Sequence, residues 1–263
     1  MAPSRERARE ARLLLVAPTA LDDTGRPFRV KDECQGNRST RRRRDPEVAG
    51  NVEHIDPVAD LDEEDDVGTR AGARHFILLS AICVQKPELA FQHAKLAFEA
   101  ALQDSALAWS IVRPTAYFKS LSGQVPRVMA GKHFVVFGDG RRTACKPISD
   151  SDTARYLVRC LTDPALQNRI LPIGGPGPAI TPKEQGALLF EALGQTPKFS
   201  HVPTALMRAI IAVLTPLGAF SSKLRSKAEL ARIGHYYATE SMLVWDEEAE
   251  RYDADATPEF GTD

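Results

Sequence analysis

Hydrophobic and polar positions fall into a regular texture from residue 71 onward. His75-Phe76-Ile77-Leu78-Leu79-Ser80 is a short continuous apolar run, the pattern of a strand covered on both faces in a parallel sheet. Lys86-Pro87 gives a helix start signal. From Leu89 to Leu102 the apolar residues Leu89, Ala90, Ala94, Ala97, Phe98, Ala101 and Leu102 recur near a 3.6 period, which predicts a helix of about four turns. Trp109-Ser110-Ile111-Val112-Arg113-Pro114 reads as a second buried strand, ended by a proline that cannot donate to a ladder. Strand, helix and strand at this spacing make a βαβ unit.

The alternation continues. Phe134-Val135-Val136-Phe137-Gly138-Asp139-Gly140 predicts a strand running into a turn that needs positive φ. Ile148-Ser149-Asp150 opens a helix from Ser151 to Leu161, and Arg169-Ile170-Leu171-Pro172-Ile173 is a further strand. Thr181-Pro182-Lys183-Glu184 is a capping box with proline in the first turn. The fold class is therefore α/β, built on a parallel sheet. Thr204 to Phe220 has an apolar face, expected to serve as a core or substrate-cover helix, with contact to a membrane surface as the alternative.

The first 70 residues read differently. Leu13-Leu14-Leu15-Val16 is the one strand candidate there. An Arg-rich stretch closes in Arg41-Arg42-Arg43-Arg44 and gives way to the acidic run Asp62-Glu63-Glu64-Asp65-Asp66. Blocks of like charge resist burial, so residues 1–70 are expected to be largely disordered or atypical, and residues 71–263 to form the folded domain. An Arg-rich start suits an organellar transit peptide, but Glu6, Glu10, Asp22 and Asp23 weigh against one.

Composition narrows the function classes. A hydrophobic content of 43% over 263 residues supports a sizeable core and excludes collagen-like and wholly disordered chains. Lys and Arg number 34 against 35 Asp and Glu, for a net charge of −1, so the broad basic field of a dedicated nucleic-acid binder is missing. Cys34, Cys83, Cys145 and Cys160 are scattered with no C-x-x-C pair, which predicts reduced, mostly buried thiols and no structural metal. The longest apolar stretch, Ala205 to Phe220, is interrupted by Arg208 and Pro216 and falls short of the ~20 residues that span a bilayer.

A dinucleotide site needs a strand, a glycine-rich turn and a helix N-terminus that lets backbone N–H groups meet a pyrophosphate. Behind Val16 come Ala17-Pro18-Thr19-Ala20-Leu21-Asp22, with no glycine until Gly25; the fingerprint is absent. Gly174-Gly175-Pro176-Gly177-Pro178 is expected to be a tight connection, because its prolines remove donors. Gly138-Asp139-Gly140 is expected to be a turn at a strand end, with an anion nest as the alternative.

Ser80 closes the first strand, and Phe91-Gln92-His93-Ala94-Lys95 lies on the helix after it. Here the sequence resembles the atypical short-chain dehydrogenase/reductases, whose pattern on this helix is Tyr-x-x-x-Lys with a serine upstream. Spacing of four stacks the two side chains one turn apart. The resemblance implies a Rossmann-like sheet, an NADPH cofactor, and a lysine, here Lys95, that holds the nicotinamide ribose; the tyrosine position is Phe91. Further matching pieces are Leu79 to Pro87, Ile111 to Ala116, Phe118-Lys119-Ser120-Leu121, Phe137 to Gly140, Cys145 to Ser149, Leu171 to Gly177 and Arg232 to Ala238. In this order they resemble the branch of the family that reduces the 8-vinyl group of divinyl protochlorophyllide or chlorophyllide in chlorophyll synthesis.

That resemblance implies Lys95 as catalytic and cofactor-binding, Ser80, Pro114 and Thr115 as cofactor-binding, and Tyr117, Phe118 and Lys119 as substrate-binding. A vinyl group takes hydride on one carbon and a proton on the next, so no carbonyl oxygen calls for a phenolic acid at position 91. The proton donor is unassigned: Lys119, Asp139 and bound water are all open. His93 is expected to be an exposed or packed residue. The resemblance implies a plastid location in a eukaryote and a cytoplasmic one in a bacterium. It begins near Ala71, where the phosphate-binding half of the family's sheet should already have passed. The chain is thus expected either to lack its natural front end or to be a diverged relative. The competing readings are a non-catalytic pigment- or partner-binding relative, and an atypical reductase with another substrate.

Overall fold

The computed structural model describes residues 73–262 and the backbone of Leu14–Val16. The expectations for charge blocks, targeting and order in the first 70 residues, and Cys34, otherwise lie outside the described residues. The central sheet is parallel and has four strands: β1 (Leu14–Val16), β2 (His75–Leu79), β3 (Ala108–Pro114) and, at the far edge, β5 (Arg169–Ile173), in the spatial order β1-β2-β3-β5. Leu14 pairs with Phe76, Phe76 with Trp109, and Ile111 with Ile170. This succession corresponds to the 1-4-5-6 portion of the doubly wound order 3-2-1-4-5-6. The short β1, expected as a strand from its leucines, occupies the first position, and no strand among the described residues lies outside it.

Because side chains alternate along a strand, the sheet feeds two cores. Phe76, Leu78 and Ile111 pack with Leu102 and Leu107 beneath helix α1 (Ala90–Asp104). Ile77, Val112, Leu171 and Ile173 pack with Tyr156, Leu157 and Cys160 of a second helix, Asp150–Thr162, on the opposite face. Both layers explain why the strands are continuously apolar. The Asp150–Thr162 helix starts where Ser149 Oγ accepts the Asp152 N–H at 3.0 Å, an N-cap that satisfies an orphan donor.

Between β3 and that helix run two short helices, α2 (Phe118–Leu121) and α3 (Val125–Met129), and strand β4 (Phe134–Phe137), making Asp150–Thr162 α4. Beyond β5 come α5 (Pro182–Ala192), capped by Thr181 and Glu184 as the capping box predicts, and β6 (Phe199–Val202), which pairs in parallel with β4. Gly138 and Gly140 adopt φ of 60° and 71°, the turn conformation expected after β4. A helical hairpin follows, α6 (Thr204–Leu217) and α7 (Ser222–Thr239), then the antiparallel pair β7 (Val244–Asp246) and β8 (Arg251–Asp253).

The glycine-proline stretch after β5 is a close packing junction. A Cβ on Gly175 would lie 1.8 Å from the Pro147 carbonyl oxygen, and one on Gly174 2.8 Å from Lys146 Cβ. Gly174 also exchanges backbone hydrogen bonds with Pro258 and Phe260 at 2.8 and 2.9 Å, stitching the C-terminal segment to the sheet. Gly174 and Gly175 answer this close approach, whereas Gly177 answers a positive φ. One expectation is corrected: α6 has no buried residue, so Thr204 to Phe220 is not a core helix.

Candidate active site

The carboxyl ends of parallel strands are where α/β sheets bind ligands, and three chain segments meet there. Ser80 follows β2 and donates its N–H to the Val112 carbonyl at 2.7 Å. Thr115 follows β3 and donates to Ile173 at 2.9 Å. Lys95 rises on α1, which leaves this edge through a 3-10 turn at Ile82–Gln85. The helix entry is secured by Gln92, fully buried, whose Oε1 accepts the N–H groups of Glu88 and Leu89 at 2.8 Å each and whose Nε2 donates to the Cys83 carbonyl at 2.7 Å. Such capping satisfies donors that a helix start leaves free.

Ser80 and Lys95 converge on a residue that sequence reasoning missed. Glu99, one turn beyond Lys95 and 1% exposed, accepts hydrogen bonds from the Ser80 hydroxyl and from Arg113 Nε and Nη2. The Nε contact is 3.1 Å. An arginine inside an otherwise apolar strand, with an acid four residues after a candidate lysine, was the available signal. Lys95 itself is half-buried, and burial lowers its pKa, opposed by the Cys83 and Glu99 groups nearby. Among the described residues its ammonium has no hydrogen-bond or salt-bridge partner.

Phe91, like Ala116, Cys145 and Ile233, packs against a cluster formed by Ile82, Cys83, Leu89, Tyr236 and Met242. A ring without a hydroxyl suits this apolar neighbourhood. A phenol reaches the same region from elsewhere: Tyr237 of α7 lies beside the Cys83 thiol. Tyr237 is 45% exposed, and partial desolvation of its phenol is the main cause that raises its pKa, so the phenol keeps its proton at neutral pH. Its neighbour Tyr236, fully buried, donates to the carbonyls of Cys83 and Lys86 at 2.8 and 3.0 Å and fixes α7 against the 3-10 turn. The Arg232-to-Ala238 motif thus brings a tyrosine to Cys83, at the turn that leads into α1.

The remaining candidates separate. Thr115 is buried and donates its hydroxyl to the Lys146 carbonyl, while Pro114 pairs in register with Ile173. Tyr117, expected as a substrate wall, packs against the core around α4, with its pKa raised mainly by burial; apolar side chains there give it a packing position. Phe118 is about half exposed and Lys119 is exposed. Asp139 accepts the Arg141 N–H at 2.9 Å, an Asx-type turn contact. A cavity of about 230 Å³ lies between β4, α5 and α7, with Gln124, Arg142, Gln185 and Tyr237 among its lining residues.

The sheet order and its two helical layers define a Rossmann-like α/β fold. The NAD(P)H-binding family matches residues 66–164. In sequence the chain is similar to the divinyl chlorophyllide a 8-vinyl-reductases over part of their length. It is 52% identical over 202 residues to the chloroplastic protein of that name from Arabidopsis thaliana, covering 74% of this chain and 48% of the relative. Against the Zea mays protein it is 52% identical over 197 residues, covering 73% and 49%. The chain therefore spans about half the length of the curated relatives it matches.

Solved structures agree on the fold. The NADPH-dependent quinone oxidoreductase of Escherichia coli, complexed with NADPH, superposes with a TM-score of 0.56 at 16% identity, covering 81% of this chain and 71% of that one. Triphenylmethane reductase of Citrobacter sp., complexed with NADP(H), gives 0.56 at 14% identity, covering 78% and 70%. The residues present fit one end of such a cofactor. A half-buried ammonium whose donors are unused among the described residues suits ribose hydroxyls, whereas the residues from Ala17 to Thr24 include no glycine for a pyrophosphate turn.

Proposed function

We propose that this chain carries the nicotinamide-ribose and substrate portion of an NADPH-dependent reductase that converts the 8-vinyl group of divinyl protochlorophyllide or chlorophyllide to ethyl. The Lys95 ammonium, without a hydrogen-bond or salt-bridge partner among the described residues, carries this reading. NADPH, when bound, supplies a hydride. Lys95 would hold the ribose so that the nicotinamide ring faces the vinyl group, the positioning on which such a transfer depends. Ser80 and Arg113 fix Glu99 beneath Lys95, while Thr115 and Pro114 shape the wall after β3. Phe91 keeps the approach apolar, as suits a flat conjugated macrocycle. Phe118 and Lys119, exposed beside that wall, are the substrate-facing candidates, and Lys119 would meet a carboxylate of the pigment.

The 230 Å³ cavity is smaller than the ~300–1,000 Å³ typical of small-molecule sites, so the macrocycle would lie across an open edge. The plastid names of the relatives favour a plastid location for a eukaryotic chain. A second reading, a pigment- or partner-binding relative without catalysis, is favoured by the missing glycine turn after Val16. Titration of the purified chain with NADPH, followed by nucleotide fluorescence and compared with NADH, separates the two. Saturable binding that prefers NADPH, followed by conversion of divinyl to monovinyl pigment, is expected for the reductase. A folded chain that binds neither nucleotide overturns it.

A further inference from the structure

Helix α6 turns its apolar side outward. Leu206, Ile210, Val213 and Leu217 recur at helical spacing, and each is exposed; Phe220, in the turn before α7, is 90% exposed. The opposite side rests on α7, where Gly234 admits Met207 so closely that a Cβ would lie 2.9 Å from its terminal methyl. The outward stripe is thus the side of α6 turned away from its packing partner. Contiguous apolar exposure of this kind marks an interaction surface.

Charge identifies the occupant. Between Glu191 and Glu229 the chain has no acidic residue and carries Lys198, Arg208, Lys223, Arg225 and Lys227. Lys223, Arg225 and Lys227 follow in the first turns of α7, immediately after Phe220. An apolar stripe ending in an aromatic tip and followed at once by a run of cations has the composition of an interfacial helix that lies in a headgroup layer. No helix among the described residues is long and apolar enough to cross a membrane, which leaves in-plane docking as the geometry.

We propose that the outer face of α6 and the turn at Phe220 dock on an anionic lipid surface, with Lys223 and Lys227 against the headgroups. This assignment does not depend on the reductase reading, and its test uses no activity. The full chain is floated with vesicles of phosphatidylcholine alone and of phosphatidylcholine mixed with phosphatidylglycerol, at low and high salt. Binding to the mixed vesicles is expected, weakening with salt. Lys223→Glu and Lys227→Glu should each weaken it about fivefold or more, and the Val213→Ser, Phe220→Ser double variant more than ~10-fold. A Phe220→Trp reporter should shift its emission to the blue on the mixed vesicles. All these positions are exposed, so circular dichroism should show an unchanged fold. A folded chain that binds neither vesicle overturns the proposal. So does a concentration-dependent dimer dissolved by Val213→Ser and Phe220→Ser, which would assign the stripe to a second copy of the chain.

Discussion

Arg113, on β3, grips the carboxylate of Glu99, on α1, through both Nε and Nη2. The pair ties the helix that carries Lys95 to the strand that leads into Thr115, and both side chains are largely removed from water, at 16% and 2% exposure. Breaking one side of a buried pair leaves an uncompensated charge, which costs about 3–5 kcal/mol. Arg113→Ala should therefore destabilise the fold by that order in urea unfolding. Replacing both, as Glu99→Leu with Arg113→Met, should recover most of the loss, since no charge is stranded. A loss below about 1 kcal/mol for Arg113→Ala, the level of an exposed pair, would show that the pair contributes little.

Lys95 makes a pH prediction whose sign follows from burial. Its folded pKa is lowered, so below the unfolded value of about 10.4 there is a window in which the unfolded chain holds a proton that the folded chain has released. Stability contributed by this group rises with pH through that window and levels off above it. Lys95→Met should flatten this part of the unfolding-energy curve and leave the protein at least as stable at neutral pH. The same variant should bind NADPH more weakly. Identical slopes for the two proteins would show that Lys95 titrates as it does in the unfolded chain.

Much of this was legible in the sequence because it depends on local rules. The apolar runs of β2, β3 and β5 are continuous since both faces of the sheet are covered, and Ser149 and Thr181 announce their helices by capping. Other features depend on which distant segments meet. Nothing local shows that the Thr204–Phe220 stripe stays uncovered, or that Tyr237 returns to Cys83 across more than half of the chain. Gly174 and Gly175 looked like an ordinary turn; their actual constraint is the Lys146-Pro147 backbone pressed against them. Tyr117 meets the same limit, since an aromatic after a strand reads alike whether it faces a ligand or packs beside α4.

That close approach separates two glycines in the same loop. Gly175→Ala would place a methyl carbon 1.8 Å from the Pro147 carbonyl oxygen, so the 145–148 segment must move. Overpacking of this kind costs about 1–3 kcal/mol, occasionally more. Gly177 has φ of 92° but open space where a methyl group would be added, so Gly177→Ala meets backbone strain alone, about 1–2 kcal/mol. Thermal unfolding should place Gly175→Ala below Gly177→Ala. Equal losses at both positions would mean that the loop yields freely.

The described thiols should be poor nucleophiles. Burial pushes Cys145 and Cys160 up to about 11, and Cys83 is raised too, mainly by burial. At pH 8 a thiol with that value is ionised to only about one part in a thousand, and the thiolate is the reactive form. Iodoacetamide should label all three slowly in the folded chain and quickly in denaturant, as mass spectrometry of their peptides would reveal. Fast labelling of Cys83 in the native state would instead mean an open, ionised sulfur beside Lys95.

Tyr237 tests how the substitution at position 91 is accommodated. Phe91 removes the phenol one turn before Lys95, and Tyr237 presents another, protonated at neutral pH, beside the Cys83 thiol. If that phenol delivers the proton that completes vinyl reduction, Tyr237→Phe should lower kcat by about 10²–10⁴, the usual contribution of general acid catalysis. NADPH affinity should change little, because the ribose contact is proposed for Lys95. Phe91→Tyr should not rescue the variant, since position 91 faces the apolar cluster around Ile82 and Met242. Solvent isotope effects on kcat add a readout that a packing role would not move: large in the parent protein and altered in Tyr237→Phe. An unchanged kcat with an unchanged isotope effect would return the proton to water and leave Tyr237 as a wall of the cavity.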